Sequence, residues 1–68
     1  MNVIPRLGEI LEERGITQTQ LSAMSGVPQG SISRFDKNTR HESAHLFAIS
    51  RALSVKIEEL FTLLDSAE

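Results

Sequence analysis

The amino-acid sequence predicts a single all-α domain, a compact five-helix bundle that spans residues 1–68. Three observations indicate this fold class. Apolar residues recur at helical spacing in five short segments, glycine and proline stand between several of these segments, and the connections are short. A domain of 68 residues buries only about 60% of the surface that its unfolded chain exposes. Because the chain has no cysteine, tight helix packing and dimerisation remain as sources of stability.

The first predicted helix runs over about Ile4–Arg14, and Pro5 suits its first turn. Gly15 ends this helix in the left-handed conformation that glycine adopts readily. Thr17 is the predicted N-cap of a second helix, Gln18–Ser25. The first two helices are therefore separated by one short turn.

A third predicted helix follows a second glycine. Gly26 ends the preceding helix, and Pro28 opens the new one at a position where its missing N–H costs nothing. Helical spacing directs Ile32 and Phe35 of this third helix toward the core. The polar stretch KNTRHE, which begins at Lys37, is the predicted loop after it.

Two more helices complete the predicted bundle. Ser43 is the predicted N-cap of the fourth helix, and the fifth extends over about Ile57–Leu64. The apolar residues near the end of the chain exceed what one core-facing side needs. We therefore expect part of this group to form a partner surface: Phe61, Leu63 and Leu64.

The net charge of −2 is unevenly distributed along the chain. Seven of the nine acidic residues lie near the two ends, whereas the segment between Gly15 and His41 is net positive. A positive centre with a solvated acidic back is compatible with a surface that faces nucleic acid. The charged residues of that central segment are Arg34, Asp36, Lys37 and Arg40.

The sequence lacks the signals of a membrane or exported protein. No apolar run approaches the roughly 20 residues that a membrane-spanning helix needs. The N-terminus also lacks the long apolar stretch of a signal peptide. We therefore expect a soluble, cytoplasmic protein without a membrane partner.

The segment QTQLSAMSGVPQGSISRFDK, residues 18–37, has the pattern of two short helices joined by a tight glycine turn. A rigid corner of this kind needs a glycine at the turn and apolar residues on its inner side. A second helix that projects from such a corner can enter the major groove of B-DNA, which is about 12 Å wide. The residues that meet these requirements are Leu21, Gly26, Val27, Ile32 and Phe35.

The run GITQTQLSAMSGVPQGSISRFDKNTR, followed by LFAISRALSVKIEELF, closely resembles the Xre family of helix-turn-helix regulators. This family includes the phage Cro proteins and phage repressors. The resemblance covers about Leu7–Phe61 and implies a phage repressor-like DNA-binding domain. The sequence departs from the family pattern at Ser22, where alanine is commonest, and at Pro28, where serine usually caps the recognition helix. Its loop after Lys37 lacks the glycine and proline often found there.

The resemblance implies DNA contacts for the second and third helices. Gln18 would bind a phosphate, and Gln29 would read a base edge, with bidentate pairing to adenine. Arg34 would contact a base or the backbone, and arginine suits guanine. Ser31 and Ser33 would make shorter-range contacts to bases or phosphates. The alternative for Gln29, Arg34 and the two serines is an ordinary solvated helix face.

The resemblance also implies that the loop after the third helix contacts the DNA backbone. These backbone contacts would come from Asn38, Thr39 and Arg40. The alternative for Arg40 is an approach to the minor groove. We expect a phosphate contact from at least one of Lys37 and Arg40. Gly30, without a side chain, would let the recognition helix approach the groove closely, at a cost of about 1 kcal/mol in helix stability relative to alanine.

The sequence does not indicate catalysis or a cofactor. It shows no serine-histidine-aspartate set, carboxylate pair, phosphate-binding loop or metal cluster. His41 and His45 are four residues apart, but a loop residue and a helix residue with only Glu42 nearby make a poor metal site. We expect solvent exposure or a capping role for these histidines.

The resulting functional hypothesis is sequence-specific binding of double-stranded DNA by a homodimeric transcriptional repressor. Two-fold symmetry would place two recognition helices about 34 Å apart on a palindromic operator. The alternative is an antitoxin-type module that binds a protein partner and also regulates its own promoter.

Overall fold

The computed structural model describes residues 1–65 and is mostly helical. A strand at each end of this range frames four α-helices and two 3-10 helices. In chain order the elements are β1 (Asn2–Pro5), α1 (Leu7–Arg14), α2 (Gln18–Ser25), α3 (Gln29–Ser33), a first 3-10 helix (Phe35–Lys37), α4 (Ser43–Leu53), a second 3-10 helix (Ile57–Leu60) and β2 (Phe61–Leu64).

The ends of α1 and α2 follow the sequence predictions. Gly15 and Gly26 close the two helices with φ angles of 66° and 79°, in the left-handed region that favours glycine. Thr17 caps α2 through a capping box. Its Oγ1 accepts from the Gln20 N–H at 3.0 Å, while Gln20 Oε1 accepts from the Thr17 N–H at 2.8 Å. Two reciprocal hydrogen bonds therefore stabilise the first turn of α2.

One apolar core joins the helices. Every α-helix and both 3-10 helices contribute to it, and Val27 adds a residue from the turn between α2 and α3. Burial of this shared surface is the main force that holds such short helices in place. The buried apolar residues are Leu7, Ile10, Leu11, Leu21, Val27, Ile32, Phe35, Ile49, Leu53 and Leu60.

The prediction of a fifth helix over Ile57–Leu64 is wrong. The segment forms one 3-10 turn and then the extended strand β2, beginning at Phe61 with φ −134° and ψ 156°. Strand β2 pairs antiparallel with β1, from Asn2 opposite Leu64 to Pro5 opposite Phe61. Pairing between the distant ends of the chain decides the conformation, and apolar spacing within one short segment cannot reveal it.

The same pairing corrects the start of the first helix. Helix α1 begins at Leu7, and Ile4 and Pro5 belong to β1. The Arg6 N–H donates to the Leu60 carbonyl at 2.9 Å, which continues the contact between the two ends. The domain is therefore helical with a small two-stranded sheet, and the all-α description is too simple.

The start of α4 differs from the prediction by one residue. Ser43 is the first helical residue, Glu42 occupies the N-cap position, and no side chain caps this end. At the other end Ser54 takes the left-handed conformation with φ 56°. No helix in residues 1–65 is long and apolar enough to cross a bilayer.

Candidate nucleic-acid interface

A tight corner joins α2 to α3, as the sequence predicts, and serine side chains hold it. Ser22 Oγ donates to the Val27 carbonyl at 2.7 Å, which connects α2 to the residue after the turn. Ser25 Oγ donates to the Leu21 carbonyl at 2.7 Å and accepts from the Val27 N–H at 3.1 Å. Ser22, a departure from the family pattern, thus has a structural role that the sequence did not reveal.

Helix α3 presents a polar surface opposite its buried residues. Ile32 and Phe35 are 3% and 2% exposed, whereas Gln29, Ser33 and Arg34 are on the exposed side. The Pro28 carbonyl begins the helix by accepting from the N–H groups of the third and fourth residues after it, at 3.0 and 3.2 Å. The side chains that follow Pro28 are therefore held on a fixed helical turn.

Gly30 and Arg34 lie one helical turn apart and share this surface. A methyl group at Gly30 would lie only 3.3 Å from Arg34 Nη1. The absence of a side chain therefore leaves room for the Arg34 guanidinium beside the helix backbone. This contact gives Gly30 a physical role in placing Arg34, in addition to the close approach to a groove that the sequence predicts.

The two serines of α3 differ in their surroundings. Ser33 is exposed, and its Oγ donates to the Gly30 carbonyl at 3.0 Å. Ser31 is half-buried and lines an open cavity of about 110 Å³ between α3, the following loop and α4, together with Asn38 and His45. Ser31 is thus less outward-facing than the sequence predicts.

The loop after α3 carries four exposed polar residues and is closed by a histidine. His41 Nε2 donates to the Phe35 carbonyl at 2.7 Å. The imidazole also packs on Phe35, with ring centroids 4.1 Å apart, and on Phe61 at 5.6 Å. His41 thus joins the end of this segment to Phe35 at its beginning. The residues predicted to contact the DNA backbone lie between these two: Lys37, Asn38, Thr39 and Arg40.

The role of His41 was not predicted from the sequence. Capping or solvent exposure was expected, but the side chain is half-buried between two aromatic rings. Phe61 comes from the far end of the chain, so no local pattern places it beside His41.

Asp36 connects the end of the recognition unit to α1. Its Oδ1 and Oδ2 accept from the Leu7 and Gly8 N–H groups at 2.8 and 2.9 Å. Helix α1 has no capping side chain of its own, so this carboxylate satisfies its first N–H groups. A methyl group at Gly8 would lie 3.1 Å from Asp36 Oδ2, which indicates how closely the carboxylate approaches.

The contacts of Asp36 leave a net positive surface around the loop. Its negative charge lies at the N-terminal end of α1, where the helix dipole stabilises it. Within residues 1–65 the ion pairs all involve Arg6, which contacts Glu9 at 3.3 Å and Glu13 at 3.7 Å. The described part of the chain therefore gives no ion-pair partner to the three cations nearest the recognition helix: Arg34, Lys37 and Arg40.

Gln18 is exposed at the first position of α2. The structure thus places it next to the N–H groups of the helix start, where a phosphate is favoured. The candidate residues occupy three parts of the chain: the start of α2, the outer side and end of α3, and the segment from Lys37 to Arg40 at the end of the first 3-10 helix and in the loop after it.

A family model describes this arrangement. Residues 6–66 match the Cro/C1-type HTH DNA-binding domain. A search of the curated proteins found no match. The match spans all four α-helices and confirms the resemblance to helix-turn-helix regulators, which act by binding DNA. The chain therefore belongs to the Cro/C1-type HTH DNA-binding domain family.

Proposed function

We propose that this domain binds specific sequences of double-stranded DNA by inserting α3 into the major groove. The observation that carries the proposal is the polar outer side of α3, opposite the buried Ile32 and Phe35. A helix held from one side and exposed on the other is suited to direct contact with base edges.

Each candidate side chain takes a role that matches its chemistry and position. Gln29 and Arg34 read base edges, because their planar polar groups make paired hydrogen bonds to adenine and guanine. Gly30 gives Arg34 the room it needs. Ser33 and Ser31 make shorter contacts to bases or phosphates. The remaining residues bind the sugar-phosphate backbone: Gln18, Lys37, Asn38, Thr39 and Arg40.

The active species in this proposal is a homodimer on a palindromic operator. Two-fold symmetry of the protein requires two-fold symmetry of the DNA site, and α3 is short enough to read only a few base pairs. The proposed effect is repression, because a dimer that occupies a promoter can block transcription without any further contact.

Selection of bound duplexes from a random pool tests this proposal. The expected product is an enriched sequence with two inverted half-sites, their centres about 10 base pairs apart. Enrichment of a site without symmetry would refute the homodimeric part of the proposal. Failure to enrich any duplex over random competitor would refute sequence-specific binding.

A second candidate function is an antitoxin-type module that binds a protein partner and regulates its own promoter. The observation that favours it is Phe47, a large apolar side chain on α4 that is 55% exposed. Co-purification of one partner with the native chain, lost in the variant Phe47→Ser, is the expected result. Retention of the same partner by that variant would contradict this use of Phe47.

A further inference from the structure

The exposed apolar side chains of the domain are concentrated on the ribbon, the sheet formed by β1 and β2. Within residues 1–65, five of the seven exposed large hydrophobic residues are in or next to these two strands, and the other two, Met24 and Phe47, lie on α2 and α4. Single exposed apolar residues are ordinary, but a contiguous group marks an interaction surface. The group consists of Met1, Val3, Ile4, Leu63 and Leu64.

One face of the ribbon is wholly apolar, with Val3, Leu63, Pro5 and Phe61, whereas the other combines Ile4 and Leu64 with the polar Asn2 and Thr62. Val3 lies opposite Leu63, and the next pair, Ile4 opposite Thr62, faces the other way. Val3 and Leu63 are each 55% exposed, so the rest of the described chain leaves this pair largely uncovered. The inner end of the ribbon is anchored to the core by the packing of Phe61 on Phe35. A two-stranded sheet without further cover is marginally stable in water.

We propose that the ribbon is the surface on which a second copy of this chain packs, ribbon against ribbon, about a two-fold axis. This inference rests on the proposed function, since it supplies the interface of the homodimer. It assigns a role to the exposed apolar residues of β1 and β2, which are not part of the proposed DNA-binding surface.

The absence of ionisable side chains from the two strands favours a second copy as the occupant. A two-fold contact brings each residue close to its own counterpart, so an ionised side chain near the axis repels itself. Asn2–Pro5 and Phe61–Leu64 contain no ionisable side chain. Phe47 differs in this respect, because Arg51 lies one helical turn away on α4 and is exposed.

The unpaired edges of the ribbon favour the same occupant. In residues 1–65 the two strands pair only with each other, so each keeps one free edge. Proteins that avoid strand association place charges or proline on such edges. Strand β2 has neither, and only β1 carries a proline, Pro5. The edge of β2 is therefore open to association.

Sedimentation equilibrium of the full chain and three variants tests the proposal. The native chain should have twice its monomer mass of 7.5 kDa. Leu63→Glu and Val3→Glu should each raise the dimer dissociation constant at least tenfold. Met24→Glu is the matched control, because Met24 on α2 is 52% exposed, close to the 55% of the two ribbon residues. It should leave the dissociation constant within a factor of two.

Circular dichroism of each variant checks that the helices remain, since Val3 and Leu63 lie outside the core. A monomeric native chain would overturn the proposal, and so would a control that dissociates while both ribbon variants remain dimeric. Binding of a selected duplex separates this inference from the proposed function. If the native chain is a dimer but prefers no duplex over random DNA, the proposed function is wrong and the proposed interface is not contradicted. If the native chain binds a specific duplex but Leu63→Glu leaves its dimer dissociation constant unchanged, the proposed interface is wrong and the proposed function is not contradicted.

Discussion

At the scale of single residues, the candidate interface depends on side chains that place other side chains. Arg34 lies in the space beside the helix backbone that Gly30, without a side chain, leaves open. Ser22 and Ser25 fasten the turn that sets the direction of α3. The residues proposed to touch DNA are thus supported by neighbours that do not touch it, and substitutions of the two kinds should have different effects.

Gln29→Ala should reduce sequence preference. Loss of a paired hydrogen bond to one base should cost about 1–3 kcal/mol on the preferred duplex and relax the preference at one position of each half-site. Competition binding against duplexes altered at each position measures this effect. An equal loss of affinity for preferred and scrambled DNA would show that Gln29 does not read a base.

Arg40→Ala should weaken binding to all duplexes alike. Removal of one phosphate contact should lower the slope of log affinity against log salt by about 1. Arg51→Ala is the matched control, because Arg51 is also an exposed arginine but lies in the last turn of α4. Titrations at several salt concentrations measure both slopes. A strongly sequence-dependent effect of Arg40→Ala would contradict the backbone role.

Asp36→Ala should destabilise the fold. Loss of the hydrogen bonds to the Leu7 and Gly8 N–H groups leaves the start of α1 uncapped, which should cost about 0.5–2 kcal/mol. Urea denaturation measures the free energy of unfolding. Glu12→Ala, at an exposed position of the same helix, should change it by less than about 0.5 kcal/mol. Equal effects of the two substitutions would argue against a capping role.

At the scale of elements, the loop after the first 3-10 helix is the part whose shape most concerns DNA binding. His41 closes it through the hydrogen bond to the Phe35 carbonyl and the two aromatic contacts. The exposed polar residues of the loop are therefore held on a defined path before any DNA arrives. A preordered loop loses less conformational entropy on binding than a free one.

His41→Phe should separate the hydrogen bond from the aromatic packing. The ring contacts can remain, but the Phe35 carbonyl loses its donor, so the loop should become less ordered. A net hydrogen bond contributes about 0.5–1.5 kcal/mol, which corresponds to a roughly 2- to 12-fold loss of DNA affinity if it acts through the loop. Binding to preferred and scrambled duplexes measures it. Unchanged affinity for both would contradict the positioning role of His41.

The sequence predicted the elements that local signals define, and it missed those that distant contacts define. Thr17, Gly15 and Gly26 mark helix ends by chemistry within a few residues, and the structure confirms them. The strand character of Asn2–Pro5 and Phe61–Leu64 arises from their mutual pairing, which no local pattern encodes.

The candidate site shows the same division. The exposure of Gln29 and Arg34 follows from helical spacing around the buried residues of α3. The contact of Asp36 with α1 joins positions 29 residues apart, and single-sequence reasoning does not reach such contacts. Ser31 was expected to face outward, but the packing of the loop and α4 half-buries it.

At the scale of the whole molecule, most acidic residues in the described part of the chain lie on other elements than the proposed DNA-binding surface, and Asp36 and Glu42 are the exceptions. Glu9, Glu12 and Glu13 lie on α1, whereas Arg34, Lys37 and Arg40 lie on or after α3. A net charge of −2 is therefore compatible with binding to a polyanion, because local potential rather than total charge governs the approach.

Thermal stability should depend on protein concentration if copies associate through the ribbon. The dimer is favoured by mass action, so the midpoint of thermal unfolding should rise over a hundredfold increase in concentration. The Leu63→Glu variant should lose this dependence. Calorimetry at several concentrations measures both. A midpoint that stays constant for the native chain would contradict association in the folded state.

The aromatic trio of Phe35, His41 and Phe61 has a consequence for control of the domain. One ring belongs to the recognition unit, one to the loop after it and one to the strand that leads into the ribbon. The three rings therefore form a continuous contact from the recognition unit to the ribbon. If copies associate through the ribbon as proposed, reciprocity of coupled equilibria requires that DNA binding strengthen self-association by the same factor by which self-association strengthens DNA binding. Under the ribbon proposal, DNA binding therefore depends more steeply on protein concentration than the binding of a single copy would.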